Sequence, residues 1–217
     1  MKESMTHRIH LNAVLSLLII GSVCLMGCND TQPETNNQDP DDTSTTSNYI
    51  SALNAFTKMK SEIQQWDENF RIARIHHFGT SEYRTDAKEE SWEFYVESAD
   101  GTKSTDFTYT VGSGTIKAID TSYGTGRHTC SYEEIKIDST EATTIALNNI
   151  KSEIFPNFDG GCKTELLVNE NNTPYWKINA NHQRKNGHID LDKPNKYAYA
   201  EINAKTGDII KIKGDNS

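Results

Sequence analysis

Any chemistry in this 217-residue chain would have to come from histidines and carboxylates that lie far apart in sequence. His76 and His77 are adjacent, so in a strand they point to opposite faces and do not readily share one metal; a solvated strand edge accounts for them. Asp190 and Asp192 share one face of any strand they form and, with Asp159 or Glu201, could reach a calcium ion, but such a site needs about six to eight oxygens. His128 stands two residues before Cys130, with no comparable donor around Cys162, which leaves a zinc site incomplete. The Gly124-Thr125-Gly126 run lacks the third glycine and the lysine of a phosphate cradle and reads as a loop. No His-Glu-x-x-His, Gly-x-Ser-x-Gly or Cys-x-x-Cys pattern is present. These residues predict no catalytic group, no metal and no cofactor, and hence a protein that is not an enzyme. His128, His182 and His188, with acids nearby, keep one alternative open: a carrier that binds a small ligand or a metal.

Aromatic side chains are better candidates for contact. Trp92, Tyr95, Tyr109, Tyr175, Trp176, Tyr197 and Tyr199 fall in stretches of period two, where one alternate set must face a core. Tyr197 and Tyr199 share the face opposite Ala198, Ala200 and Ile202. If the alanine side packs beneath a helix, both tyrosines are exposed and offer a partner rigid area with a polar tip. Packing against the other of two structural units is the competing account.

The N-terminus says where such contacts would occur. Lys2 and Arg8 precede an apolar stretch from Val14 to Met26, too short for the roughly 20 residues of a membrane-spanning helix, and a polar tract follows at once. Leu25-Met26-Gly27-Cys28 resembles the lipobox of prokaryotic lipoproteins, with Met26 an unusual middle residue. The resemblance implies that residues 1–27 are a signal peptide and that Cys28 carries diacylglycerol, which anchors the chain on the extracytoplasmic side of a cell membrane or outer membrane. From 22 basic and 31 acidic residues, removal of Lys2, Arg8 and Glu3 leaves 20 and 30, a net charge of −10, which disfavours nucleic acid as a partner. Residues 28–47 then form an acidic tether: the 19 residues from Asn29 to Ser47 have no apolar or basic side chain, cannot fund a core, and span about 25 Å as a coil. With Cys24 removed and Cys28 acylated, Cys130 and Cys162 are left to form a disulfide, closing a loop of about 30 residues for about 3 kcal/mol; without oxidative folding they would stay buried thiols.

The elements that must position the tyrosines come twice. Ile50, Leu53, Phe56, Met59, Ile63 and Trp66 share one helical face, and Ala142, Ile145, Ala146, Ile150 and Ile154 share another; Asp138 and Glu141 have capping-box spacing and Pro156 ends the second helix. Strand patterns follow each: Phe70 and Ile72, then Trp92 to Val96, a turn at Asp100-Gly101, Phe107 to Val111, and Ile116 after the first; Thr164 to Val168, Trp176 to Ala180, Ala198 to Ile202 and Ile210 to Ile212 after the second. The expectation is an α+β fold of two tandem units, residues 48–137 and 138–217, each a helix packed on a curved antiparallel sheet.

The stretch from Lys196 to Lys213, with its glycine turn at Gly207 and final aliphatic strand, resembles the closing hairpin of the PepSY domain family; Thr140 to Ile154 and Tyr175 to Ile178 stand where that family has its helix and central strand. Gly114-Thr115-Ile116-Lys117 is a fainter counterpart in the first unit, and Asn181 to Asn195 is longer than the family pattern. The resemblance implies cystatin-like architecture and a non-catalytic envelope protein that binds a protein or peptide partner, an envelope peptidase among the candidates.

Overall fold

Apolar residues at helical spacing need a surface to cover, and both helices find it on the same side of one sheet. The computed structural model describes residues 48–77 and 83–214. The expected signal peptide (residues 1–27), lipidation site (Cys28) and tether (residues 28–47) lie outside the described residues. Helix α1 (Ala52–Trp66) buries Ala52, Ala55, Phe56, Met59 and Ile63, and α2 (Ser139–Glu153) buries Ala142, Ala146, Leu147 and Ile150. Among the described residues no helix is long and apolar enough to cross a membrane.

The strands are β1 (Arg71–His77), β2 (Ser91–Glu97), β3 (Ser104–Thr110) and β4 (Gly114–Lys117) after α1. After α2 come β5 (Gly161–Val168), β6 (Pro174–Asn181), β7 (Arg184–Lys185), β8 (His188–Ile189), β9 (Tyr197–Asn203) and β10 (Ile209–Gly214). The main sheet has eight strands in the order β10-β9-β6-β5-β1-β2-β3-β4. Each helix thus precedes an antiparallel meander, and the two meanders meet where β1 pairs with β5 through Arg74↔Leu167 and Ile75↔Leu166. The described residues belong to one compact unit. Alternation works as it must in a sheet covered on one side: Trp92, Phe94 and Val96 of β2, and Trp176, Ile178 and Ala180 of β6, face the helices, while their neighbours face outward. β7 and β8 form a separate small hairpin closed by Asn186 (φ 48°) and Gly187 (φ 79°), the left-handed pair that a tight two-residue turn needs.

One device is used in both halves. The indole N–H of fully buried Trp92 donates to the Ile50 carbonyl at 2.8 Å, and that of Trp176 to the Ile137 carbonyl at 2.7 Å. Ile50 precedes the N-cap Ser51 of α1, and Ile137 precedes the N-cap Asp138 of α2. Each large ring therefore fills the core beneath its helix and fixes the chain entering it, with its one polar atom satisfied.

The two helix starts also meet. The Asp138 carboxylate accepts from Ser139 N–H at 2.6 Å within its own helix, from Leu53 N–H at 3.1 Å in α1, and from the Ser51 hydroxyl at 2.6 Å. In return, Ser139 Oγ accepts from Ala52 N–H at 3.1 Å. Asp138 does cap α2, but most of its hydrogen bonds go to the other helix. One negative charge there faces the positive ends of two helix dipoles and satisfies N–H groups that each helix would otherwise leave unpaired.

Candidate functional site on the open face of the sheet

The side chains that face away from the helices form a charged and aromatic surface. Along one row the cross-strand neighbours are Lys211 of β10, Glu201 of β9, Lys177 of β6 and Glu165 of β5, and Glu165 Oε2 accepts from Arg74 Nη2 of β1 at 2.6 Å. The signs alternate across five strands, so each charge faces an opposite one, the favourable arrangement for directly opposed strand residues. At the middle of the face these charges compensate one another internally.

Beyond β1 the face becomes acidic. Glu93 and Tyr95 of β2 and Asp106 of β3 lie beside Arg127, whose guanidinium sits 5.1 Å from the centre of the Tyr95 ring. Burial, with Glu93 nearby, raises the Asp106 carboxyl to about 6 against the opposing pull of Arg127. Burial likewise raises Glu93, while burial and Arg74 lower His76. His76 Nε2 lies 2.8 Å from Glu93 Oε2 but off the line of a hydrogen bond, and both groups are shifted toward their neutral forms. His76 stacks on Tyr95 with ring centres 5.3 Å apart and meets His77 edge-on at 6.2 Å. The expected solvated strand edge is corrected here: β1 is a central strand of the sheet, because the second meander adds onto it.

At the other end of the face, the β9 tyrosines stand as their alternation predicts. Ala198, Ala200 and Ile202 are buried beneath α2, Tyr197 is 45% exposed, and Tyr199 is half-buried. Tyr83 joins them to wall a cleft of about 320 Å³, with Asn179 and Lys213 in its lining. Tyr83 has a left-handed backbone (φ 52°), and its carbonyl accepts from Asn186 N–H at 3.0 Å. A Cβ on Gly161 would come within 1.5 Å of that carbonyl, so only glycine at this point of β5 lets Tyr83 lie there. Nothing in the sequence pattern pointed to Tyr83; its place depends on that close approach. One row through the cleft reads Lys213, Tyr199, Asn179 and Lys163 from β10 to β5, and it contains no acid.

The remaining candidates are dispersed. His128 lines a depression with Arg74 and Arg127, His182 Nδ1 accepts from Asp159 N–H at 3.3 Å, and His188 pairs with Lys185 in the small hairpin. Asp159 is bound by Lys185 and by Lys193 at 3.1 Å, and Asp190 lies 3.6 Å from Lys193. These carboxylates meet ammonium groups rather than one another. No group of three or more His, Cys, Asp or Glu placed to hold a metal ion occurs among the described residues.

The expected Cys130–Cys162 disulfide is corrected to two buried free thiols. Cys130 pairs with Ile72 near the start of β1, whereas Cys162 lies four residues before Leu166, which faces Ile75, and so toward the other end of β1. At about 3.3 Å per residue the two lie roughly 20 Å apart along the strands, far beyond the ~7 Å Cα limit of a disulfide. The Cys162 thiol donates to the Arg84 carbonyl at 3.0 Å, and burial pushes both thiols up to about 12, so neither is reactive in the folded chain.

No protein family matches the sequence, and no curated protein does. Among solved structures the chain is similar to a protein of Clostridium difficile 630 described as a candidate lipoprotein, with 13% identity and a TM-score of 0.45 over 74% of this chain and 92% of that one. A likeness this loose says nothing about the chemistry of the cleft.

Proposed function

We propose that the chain is an exported lipoprotein, anchored through Cys28, whose folded part is a non-catalytic module that binds a protein or peptide partner through the open face of its sheet, with an envelope peptidase among the possible partners. The observation that carries this reading is the exposed Tyr197 and half-buried Tyr199 at the mouth of a cleft on the sheet face turned away from α1 and α2. Tyrosines in such a position supply contact area at low entropic cost. We further read the two halves as tandem PepSY-like units. The repeated helix-then-meander order and the repeated tryptophan-to-cap hydrogen bond support that reading.

The test is an affinity pull-down from native membranes with the intact chain as bait, beside a Tyr197→Ala/Tyr199→Ala variant and a Glu62→Ala variant on exposed α1 surface. Enrichment of one envelope protein, lost with the tyrosines and retained with Glu62→Ala, is the expected result. Equal capture by all three baits, or none by any, would overturn the reading.

A further inference from the structure

Resting on that reading, we infer that the partner presents an acidic, carboxylate-bearing peptide segment to the tyrosine cleft. The chain as a whole carries a net charge of −9, yet the charged side chains gathered around this cleft are cations. Lys213 is in its lining, and Lys163 Nζ and the Arg184 guanidinium lie 5.0 and 5.4 Å from the Tyr83 ring centre; Lys211 Nζ, 5.4 Å from that of Tyr199, is already opposed by Glu201 in the neighbouring row.

Several cations elsewhere in the chain behave differently. Arg74, Arg84, Lys117, Lys185 and Lys193 are each engaged by a carboxylate, whereas Lys163, Arg184 and Lys213 take part in none of the ion pairs found among the described residues. Cations held on aromatic rings lose side-chain freedom before any partner arrives, and concentrated positive potential in an acidic molecule attracts opposite charge while rejecting like. Asn179, between Lys163 and Tyr199 in the acid-free row, adds an amide that can donate to a carboxylate or a peptide carbonyl.

An extended peptide fits the shape better than a compact ligand. The row has a cation at each end, Lys163 on β5 and Lys213 on β10, with Tyr199 and Asn179 between them, so an extended peptide crossing the strands can set a carboxylate at either end.

The experiment is fluorescence anisotropy of the intact chain in neutral detergent, with a labelled peptide of alternating Glu and Val and its Gln-for-Glu counterpart as probes. The expected result is at least tenfold tighter binding of the Glu peptide at low salt, weakening as salt is added. A Lys163→Gln/Lys213→Gln variant is expected to lose most of that preference, and Lys58→Gln on α1 none of it. Both peptides binding alike, or the preference surviving in the double variant, would overturn the inference. A retained response to vesicles of anionic phospholipid with none to the Glu peptide would overturn it in favour of a membrane surface. If membrane pull-down yields a tyrosine-dependent partner while the Glu peptide shows no preference, the binding module stands and only its acidic partner falls. The binding module itself fails if the pull-down is empty.

Discussion

Trp92 and Trp176 occupy matching stations in the two halves of the sheet, yet the outward-facing side chains around them are unlike. The first half displays Glu93, Asp106 and Tyr95, with an arginine folded over the ring; the second displays tyrosines among lysines. A frame that must bury a helix against strands constrains only the inward positions. The outward positions of the same strands are free to differ, and on the proposed reading the second half's carry the contact surface. The first half sets Arg127 over Tyr95 among the acids Glu93 and Asp106, whereas the second, beside a central row of opposed charges, sets Lys163 and Arg184 at Tyr83 with no acid in the row of Lys163.

The sharpest way to break the claim of a shared frame is to remove each indole. Trp92→Ala and Trp176→Ala are each expected to cost about 4 kcal/mol in denaturant unfolding, since each deletes a fully buried ring and orphans a carbonyl at a helix entrance. A loss several-fold larger in one half than in the other would show that the stations are not equivalent. Asp138→Ala comes next, at about 2 kcal/mol, because it uncaps two helices at once. It should lower the midpoint of a single transition; a first half that unfolds as before would show that the shared cap does not couple them.

A smaller effect separates the acidic end of the face from the rest. Asp106 holds its proton more tightly in the folded chain than in the unfolded one, so the associated stability is present below the unfolded value of about 3.9 and is lost as pH rises through about 6. Asp106→Asn should flatten stability across that window and leave the variant relatively more stable above it. An unchanged pH profile of the thermal midpoint would mean that Asp106 binds its proton alike in the folded and unfolded chain. Smallest of all, dithiothreitol should not shift the midpoint, and Cys130 and Cys162 should react with a thiol reagent only after unfolding; a reductant-sensitive midpoint would restore the bridge.

Much of this frame was readable from alternation. Both helices, the strands around Trp92 and Trp176, and the outward aim of Tyr197 and Tyr199 follow from periods of three to four and of two, which are local properties. What escaped depends on non-local pairing. Nothing in the residues of β1 announces that β5 will add to it, and that single junction moves His76 and His77 from an edge to the centre and sends Cys130 and Cys162 toward opposite ends of the strands. Asp138 looked like a cap for its own helix because spacing cannot reveal that a second helix starts beside it. Asn186-Gly187, a turn signal that went unread within the long Asn181 to Asn195 segment, forms the β7–β8 turn. Tyr83 was not legible, since its position rests on the missing side chain of Gly161, a contact between residues far apart in sequence.

The comparison between halves is tested most directly by photo-crosslinking in intact cells, with a photoreactive phenylalanine placed in turn at Tyr199 on the second half's open face, at Ile116 on the first half's, and at Glu62 on α1. Recognition through the tyrosine cleft predicts one discrete protein adduct from position 199 and none from the other two. An adduct from 116 or 62 with none from 199 would place the contact elsewhere and contradict the account.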